Sequence, residues 1–447
     1  ECGTIGVFDQ FWMGVSCNEL GRVRAVAFDN NNLVGSVPDE IGAISDLENL
    51  IIKNEPGLVG SIPWGVGELQ SLRQLGMYNN SLTGAIPLAL YSATNLEYLN
   101  FQDNALTGPV APKIQELTKL EKLILFNNKL EGTIHSHRFS GTNLILLGLS
   151  HNRFTGTIAP AFSSLSSLEY LYVDNNKMWG PIPANFGELT NLKSVNLNNN
   201  EFNGELPTSI SLMENMVYFS IANNNMNGAI PAELGKLRKL VTVNLSGNRF
   251  SESIPSQVGR LNDLKNFYAF SNTLTGTIPS EVGNMKSLEV LFLSSNQLSG
   301  NVPPSISTVS ETLTGLYLSA NQLIGSLPED LCLLTQLTAL FLDENEISGE
   351  IPTCLGDLME LRQLFLFNNK LEGTIPVEIS SLSKLESLGL EENELVGEVH
   401  SDVCALTTSR ESASLANFWT DCGRSLEAGP ELTCECCTVC CPSDDCM

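Results

Sequence analysis

Residues 361–376 read LRQLFLFNNKLEGTIP, and the same pattern recurs along most of the chain. Written as LxxLxLxxNxLxGxIP, it aligns sixteen times on its central asparagine, with a step of 24 residues nearly throughout. A shifted second repeat and one extra residue before Asn321 are the exceptions. Such a sequence predicts a solenoid, because a short repeat buries its apolar residues only by stacking on its neighbours. The aligned residues are Asn31, Asn54, Asn80, Asn104, Asn128, Asn152, Asn176, Asn200, Asn224, Asn248, Asn272, Asn296, Asn321, Asn345, Asn369 and Asn393.

Each position of the repeat has a structural reason. Leu123 and Leu125 flank Ile124, which predicts a short strand whose leucines point inward and whose middle residue points outward. The asparagine lies where the chain leaves the strand and can hydrogen-bond backbone groups that burial would otherwise leave unpaired. The glycine allows a backbone shape that a side chain would obstruct. An aliphatic residue fills the next slot in all sixteen repeats, from Val37 to Val399.

The ending GTIP at residues 276–279 and the segment WMGVSC at residues 12–17 resemble the plant-specific class of leucine-rich repeat. That class occurs in receptor kinase ectodomains and polygalacturonase-inhibiting proteins, and the resemblance covers roughly residues 22 to 400. It implies an α/β repeat fold, a superhelical solenoid with a parallel concave sheet and a short second sheet formed by the GxIP segments. It also implies a Cys2–Cys17 disulfide, although Cys2 lies farther from Trp12 than is usual in the class.

The patterns divide the chain into an N-terminal cap over residues 1–22, a leucine-rich-repeat solenoid over residues 23–400 and a cysteine-rich C-terminal cap over residues 401–447. The tail does not follow the plant cap. It is similar to the cysteine-rich ends of leucine-rich-repeat proteins from diatoms and related algae. Because the chain starts at Glu1 without a signal-peptide pattern and stops at Met447, we expect a mature or excised ectodomain.

The cysteines indicate disulfide-locked ends and hence an extracellular or cell-surface protein. Cys332 and Cys354, 22 residues apart on the convex side of adjacent repeats, are expected to form a local disulfide, with a reactive thiol pair as the alternative. The pairing within the C-terminal cluster stays open, and a zinc or copper site there is the less favoured interpretation because histidines are lacking. We predict no metal. The twelve cysteines expected in disulfides are Cys2, Cys17, Cys332, Cys354, Cys404, Cys422, Cys434, Cys436, Cys437, Cys440, Cys441 and Cys446.

Charge and composition exclude several classes of function. The net charge of −26 repels phosphate backbones and anionic lipids, so nucleic acid is not an expected partner. The sequence contains no apolar run of about 18 residues, so we expect no membrane contact within it, and an anchor after Met447 is left open. The four histidines stand in no nucleophile or HExxH context, so we predict neither an enzyme nor a cofactor. His135 and His137 could contribute to a metal site, but a locally altered flank is the favoured interpretation.

The outward strand positions carry the candidate ligand-binding residues. Five successive repeats present an aromatic ring in the middle of the strand, and two more rings and an acid lie one column over. An aromatic surface with a charged margin is typical of a site for a protein, peptide or glycan. The alternative is that the rings only stabilise one another across neighbouring strands. The residues are Tyr268, Phe270, Phe292, Tyr317, Phe341, Asp343, Phe365 and Phe367.

Two sequons predict N-glycosylation, at Asn79 and at Asn244. By its register Asn244 projects from the concave strand just before the aromatic residues, where a glycan would obstruct one zone and leave the next open. The template also breaks where Ala111, His135 and Ala159 replace the proline of three successive repeats. Glu252 replaces a template glycine, and we have no functional account of that change.

These observations favour a ligand-recognition ectodomain of a cell-surface receptor or receptor-like protein. We expect a protein, peptide or glycan ligand on the concave or lateral face, a possible second ectodomain as partner, and a monomer in isolation. The resembling plant family includes receptors that recognise peptides, with an Arg-x-Arg pair near the C-terminal strands that holds a peptide carboxylate. This chain has no such pair there, which weakens the transfer of that mechanism. The alternatives are a secreted inhibitor of a cell-wall hydrolase and a structural or adhesive protein of the cell surface.

Overall fold

The computed structural model describes residues 14–134, 139, 141–408, 415–421, 432–434 and 436–440. The chain divides into two compact units, residues 1–225 and 226–447. Both are built of coils that each contribute one strand to a parallel sheet, so the predicted repeat solenoid is confirmed. In the described residues no helix is both long and apolar enough to cross a membrane.

In the first unit the strands pair in parallel, and each inward leucine lies level with the next. Leu147, for example, pairs with Leu123 on one side and Leu171 on the other, and all three are fully buried. Ahead of the repeats, Val15–Cys17 pairs antiparallel with the first strand. The concave strands are Val23–Asp29, Asn49–Glu55, Gln74–Asn80, Tyr98–Asn100, Lys122–Ile124, Leu146–Gly148, Tyr170–Tyr172, Ser194–Asn196 and Tyr218–Ser220.

The second unit repeats this arrangement and ends in the cap. Its repeat strands are Thr242–Asn244, Asn266–Tyr268, Val290–Phe292, Gly315–Tyr317, Ala339–Phe341, Gln363–Phe365 and Ser387–Gly389. The α-helix Ser401–Thr408 follows, and the cap strands Asn417–Thr420 and Val439–Cys440 extend the same parallel sheet. The sheet therefore does not stop where the repeats stop.

The asparagines form the expected ladder, as Asn128 illustrates. Its Oδ1 accepts a hydrogen bond from the N–H of Leu106 at 3.0 Å, and its Nδ2 donates to the carbonyls of Phe101 and Phe126 at 2.8 and 3.1 Å. One side chain thus satisfies a donor and two acceptors on the backbone of two neighbouring coils.

The second repeat corrects our alignment, because Glu55 and not Asn54 occupies the ladder position. The two carboxylate oxygens of Glu55 accept hydrogen bonds from the N–H groups of Asn31 and Leu33, at 2.5 and 2.7 Å. The side chain is fully buried. Asn54 instead adopts a left-handed φ of 58° one residue earlier. The prediction was wrong because a template that requires asparagine cannot recognise a glutamate that caps the same backbone groups.

The flank of each unit carries short strands and one-turn helices. The strands lie just before the Ile-Pro pair and not on the GxIP segment as a whole, because the proline has no N–H to donate and immediately precedes the next 3-10 turn. These strands are Thr83–Gly84, Ala105–Gly108, Lys129–Thr133, Arg153–Gly156, Lys177–Pro181 and Glu201–Gly204, then Asn225–Ala229 at the boundary, and Arg249–Ser253, Thr273–Thr275, Ser299–Gly300, Gln322–Gly325, Glu346–Glu350, Lys370–Gly373 and Glu394–Leu395 in the second unit. Gly397–Glu398 pairs with Leu432–Thr433 of the cap.

The helical part of each coil is a 3-10 turn. In most repeats the template proline precedes the turn in an extended conformation, as Pro279 does with φ −67° and ψ 137°. The turns of the first unit are Asp39–Ala43, Trp64–Glu68, Leu88–Ser92, Pro112–Glu116, Pro160–Ser164, Phe186–Glu188 and Thr208–Leu212. Those of the second are Ala232–Lys236, Ser256–Arg260, Ser280–Asn284, Pro304–Val309, Glu329–Leu333, Thr353–Asp357 and Val377–Ser381.

Two of the three repeats without the template proline keep this geometry. Ala111 and Ala159 take the extended position, and the prolines that follow them begin the 3-10 turns. Ala111 carries an N–H that a proline would lack, and this group donates to the hydroxyl of buried Tyr91 at 3.2 Å. His135 and His137 lie outside the described residues.

The seven cysteines whose side chains the structure describes form disulfides, as predicted. Cys332 pairs with Cys354 across adjacent coils, and Cys404–Cys436 and Cys434–Cys437 lie in the cap. Cys17 is also disulfide-bonded. Cys2, Cys422, Cys441 and Cys446 lie outside the described residues, so the pairing of Cys2 with Cys17 stays a prediction.

Candidate functional site

The predicted ligand-binding residues come together on the concave face of the second unit. Parallel pairing places the middle residues of successive strands side by side, for example Tyr268 beside Phe292 and Phe341 beside Phe365. We use the name aromatic strip for Tyr268, Phe270, Phe292, Tyr317, Phe341, Phe365 and Phe367, all of which are half-buried. The strip follows from the repeat itself, because every strand points its middle side chain in the same direction.

Neighbouring rings of the strip contact one another without a break. The ring centroids of Phe292 and Tyr317 are 4.8 Å apart, those of Tyr317 and Phe341 5.0 Å, and those of Phe341 and Phe365 4.6 Å. Phe270, one column over, lies 4.4 Å from Phe292. Tilted and edge-to-face pairs at these distances stabilise each other and still leave part of each ring at the surface. The strip is therefore both a packed structure and an exposed apolar surface.

A missing side chain positions one of these rings. Gly315 precedes Tyr317 by two residues on the same face, and a Cβ at Gly315 would lie 2.6 Å from Cε2 of that tyrosine. The Tyr317 ring consequently lies over the glycine backbone instead of standing away from the sheet. Gly315 and Ala339 are buried beside the strip, and neither has a side chain large enough to project beyond the rings.

The cap extends the strip by one residue that the sequence analysis missed. Trp419 lies on the cap strand that pairs with Ser387–Gly389, and its ring centroid is 6.1 Å from that of Phe365. The segment Asn417–Thr420 alternates as a repeat strand does, with Phe418 buried and Trp419 half-buried. That alternation was the available signal, but the tail had been interpreted only through its cysteines.

Acidic side chains border the strip in the next column. Asp343 is only 7% exposed and accepts a hydrogen bond at 2.7 Å from the Ser319 hydroxyl. Burial raises the pKa of the Asp343 carboxyl above its ordinary value, and the charge of Glu344 adds to this. Burial likewise raises the pKa of Glu391, helped by the nearby charges of Asp421 and Glu392. The residues beside the strip are therefore acidic, and burial disfavours the ionised form of both carboxyl groups.

One atom of this margin is unusual for a buried polar group. Oε2 of Glu391 is shielded from solvent and has no hydrogen-bond partner in the described part of the chain. It lies close to the backbone of Gly389, where a Cβ would be 3.4 Å away, and the rings of Phe365 and Phe367 border the same point. An unpaired acceptor in such a place is costly when ionised, which agrees with the raised pKa of this carboxyl.

Comparison with known proteins identifies the repeats. Family models described as leucine rich repeat match residues 118–178 and, individually, residues 191–213, 239–261, 287–309, 312–334 and 360–382. Over 81 residues the chain is 33% identical to the leucine-rich repeat receptor-like serine/threonine-protein kinase RGI4 of Arabidopsis thaliana, a match that covers 18% of this chain and 7% of that protein. The chain carries leucine-rich repeats and is similar to plant leucine-rich-repeat receptor-like kinases.

Two solved structures resemble this leucine-rich-repeat chain over most of its length. The plant peptide hormone receptor RGFR1 in complex with RGF2 is 31% identical, with a TM-score of 0.76, covering 87% of this chain and 65% of that one. The PEPR1–AtPEP1 structure is 28% identical, with a TM-score of 0.83, covering 92% and 60%. The chain thus spans less than two thirds of either structure and a small fraction of the RGI4 sequence.

The two sequons of the leucine-rich-repeat chain differ in their surroundings. Asn79 is exposed, and its Nδ2 donates to Oδ1 of Asn54 at 2.8 Å, so one amide hydrogen continues a ladder of side chains. Asn244 is half-buried on the concave strand beside Tyr268, and its Oδ1 accepts the N–H of Ser246 at 3.1 Å. Glycosylation at Asn79 and Asn244 stays a prediction.

Proposed function

We propose that this chain is the ligand-recognition ectodomain of an extracellular or cell-surface receptor or receptor-like protein, and that it acts by binding and not by catalysis. The ligand would be a peptide or protein segment that lies along the aromatic strip. The observation that carries the proposal is the unbroken series of half-exposed rings from Tyr268 to Trp419. Exposed, mutually supported aromatic surfaces of this kind are typical of binding hot spots.

The acidic residues beside the strip favour a particular chemistry of ligand. Asp343 and Glu391 lie beside the rings, and the chain as a whole carries a net charge of −26. A ligand that combines apolar side chains with basic ones would bury the rings and relieve the cost of the poorly solvated carboxylates. Extended peptides fit such a surface, because alternate side chains reach neighbouring coils.

The comparisons support the proposed class of ligand. One similar structure is that of the plant peptide hormone receptor RGFR1 in complex with RGF2, and another is that of PEPR1 with AtPEP1. The matched kinase RGI4 is named as receptor-like. For this chain, a cell-surface location and a peptide ligand are proposals that these relatives favour.

The test compares two variants of the secreted chain. In one, Phe292, Phe341 and Phe365 are replaced by alanine. In the matched control, Trp64 and Trp179, which are about half exposed and lie in the first unit, are replaced by alanine. Both are checked for folding by thermal unfolding and are then used, beside the parent chain, to capture partners from the organism's cell-surface and secreted material.

Any captured partner is then purified and its dissociation constant is measured for all three proteins. We expect the strip variant to bind at least roughly tenfold more weakly, because central aromatic residues each contribute about 1 kcal/mol or more at interfaces. The control should bind as the parent does. Equal binding by a folded strip variant would refute the strip as the recognition surface.

A further inference from the structure

The first unit has a concave depression of its own, separate from the aromatic strip. Its volume is about 360 Å³, a size that suits a small ligand group, and it opens to solvent. Phe126 and Tyr172 supply rings to its lining, and Asp103, Ser150, His151 and Asp174 supply polar groups. None of the described residues that line it is a lysine or an arginine. It therefore combines aromatic faces with carboxylates and has no lysine or arginine in its described lining.

The two rings approach each other because the strand residue between them is a glycine and has no side chain. The centroids of Phe126 and Tyr172 are 6.1 Å apart with planes inclined at 52°. Gly148 pairs with Tyr172 on the next strand, and a Cβ at Gly148 would lie 2.4 Å from Cζ of Phe126. The Phe126 ring can therefore lie over the backbone of Gly148 and approach Tyr172. Any other residue at that position would push the rings apart.

The carboxylate of Asp174 is fixed in orientation below these rings. It is 7% exposed, its Oδ1 accepts the Ser150 hydroxyl, and its Oδ2 accepts Nδ2 of Asn175 at 2.7 Å. Nε2 of His151 lies 3.7 Å from the same Oδ2. The Ser150 hydroxyl and the Asn175 amide hold the carboxylate in one rotamer, and each of its oxygens can accept a further hydrogen bond.

A second carboxylate stands on the rim of the depression. Oδ1 of the half-buried Asp103 accepts a hydrogen bond from Nδ2 of the exposed Asn127 at 2.7 Å. Two acids and two aromatic faces thus border one open volume. Both kinds of group attract cations, the acids by charge and the ring faces by their negative electrostatic potential.

We propose that this depression binds the guanidinium group of an arginine side chain presented by a ligand. A guanidinium is planar, so it can stack on Phe126 or Tyr172 while its N–H groups reach the carboxylate oxygens of Asp174. Asp103 adds a second negative charge to the lining of the depression. The net charge of −26 favours a cationic ligand over an uncharged one such as a saccharide. The site shares no residue with the aromatic strip, so this proposal does not rest on the proposed function of that strip.

The experiment uses three blocked tripeptides as probes, acetyl-Gly-X-Gly-amide with X arginine, citrulline or lysine. Citrulline has nearly the shape of arginine without its charge, and lysine has the charge without the planar group. Binding to the full chain is followed by ligand-detected NMR at pH 7.5, at low and at high salt. We expect the arginine probe to bind, more weakly at high salt, and the other two to bind at least fivefold more weakly.

Variants assign the binding to the depression. Asp174→Asn should weaken the binding of the arginine probe at least tenfold, and Tyr172→Leu should weaken it about threefold. The matched controls are Asp263→Asn, which removes an exposed charge in the second unit, and Tyr218→Leu, which removes a half-buried tyrosine from another strand of the first unit. Both controls should bind the probe as the parent does.

Several results would overturn the proposal. Equal binding of the citrulline probe would indicate an uncharged polar ligand, and equal binding of the lysine probe would refute the guanidinium assignment. Undetectable binding of the arginine probe at millimolar concentration would refute the site. If Asp174→Asn unfolds, Phe126→Leu takes its place beside Tyr172→Leu, and unchanged binding by both would exclude the depression.

Discussion

Phe365 and Trp419 contact each other across Gly389, with ring centroids 6.1 Å apart, although one belongs to a repeat and the other to the cap. The contact depends on the glycine between them. A Cβ at Gly389 would come within 3.0 Å of Cδ1 of Phe365 and 3.1 Å of Cδ1 of Phe367. We therefore predict that Gly389→Ala displaces these rings and destabilises the second unit by about 1–2 kcal/mol, as overpacking does elsewhere.

Chemical denaturation with tryptophan fluorescence measures this effect. Asn196→Ala, at the same strand position in the first unit, is the control for alanine on a concave strand and should change stability by less than about 0.5 kcal/mol. Identical unfolding curves for the Gly389→Ala and parent proteins would show that the rings move aside without cost.

The raised pKa of Asp343 predicts a particular dependence of stability on pH. Because burial raises the pKa in the folded state, the native protein holds this proton more tightly than the unfolded chain does. Stability is then lost as the pH rises from the ordinary carboxyl range through the raised pKa. Asp343→Asn removes the charge and keeps an acceptor for Ser319, so it should be more stable than the parent at pH 7.

Thermal unfolding from pH 3 to pH 8 tests this prediction. The advantage of Asp343→Asn should shrink as the pH falls and vanish below the ordinary carboxyl pKa. Asp263→Asn changes an exposed aspartate by the same substitution and should show no such trend. An advantage for Asp343→Asn that is independent of pH would mean that its effect does not come from ionisation.

Glu252 adopts a left-handed φ of 63° where the corresponding glycines of the flanking repeats, Gly228 and Gly276, have φ of 73° and 74°. A residue with a Cβ is strained there by roughly 1–2 kcal/mol. Because the Glu252 side chain is exposed, Glu252→Gly should stabilise the protein by about 1 kcal/mol. The reciprocal Gly276→Ala should destabilise it by a similar amount, and denaturant unfolding of both variants against the parent measures the difference.

Glu55 predicts a local effect instead of a global one. Its carboxylate caps the N–H groups of Asn31 and Leu33 at the beginning of the repeats. Glu55→Ala would remove the acceptor of both N–H groups, at about 1–3 kcal/mol for that of the half-buried Leu33 and less for that of the exposed Asn31. Because each coil contacts only its neighbours, the first coils should open before the remainder. Hydrogen exchange should therefore accelerate at residues 31 and 33 and stay unchanged at residue 106, whose N–H is capped by Asn128.

Most of the fold could be predicted because the repeat states the same physical requirements many times. The inward leucines and the asparagine ladder follow directly from spacing. Where the structure differs, another residue type meets the same requirement. Glu55 caps as an asparagine would, and the Tyr91 hydroxyl accepts the N–H that Ala111 has and a proline lacks.

The candidate site was predictable only in part. The register of the strands placed Tyr268 to Phe365 in one line, but the lean of Phe126 over Gly148 depends on side-chain packing that spacing does not reveal. Trp419 was missed because the irregular cap hides a strand that continues the sheet. Gly315 and Gly389 matter because they have no side chain, and only the three-dimensional contacts of the neighbouring rings reveal this.

Trp419 gives the C-terminal cap a second role besides covering the last coil. Its strand is paired with Val439–Cys440, and the Cys404–Cys436 bridge ties the helix Ser401–Thr408 to the segment that leads into that strand. Opening the Cys404–Cys436 bridge would therefore loosen the cap strand that carries Trp419 and with it one end of the aromatic strip. Exchanging this cap for that of a related protein would change the same end of the strip, a practical matter for anyone who engineers the chain.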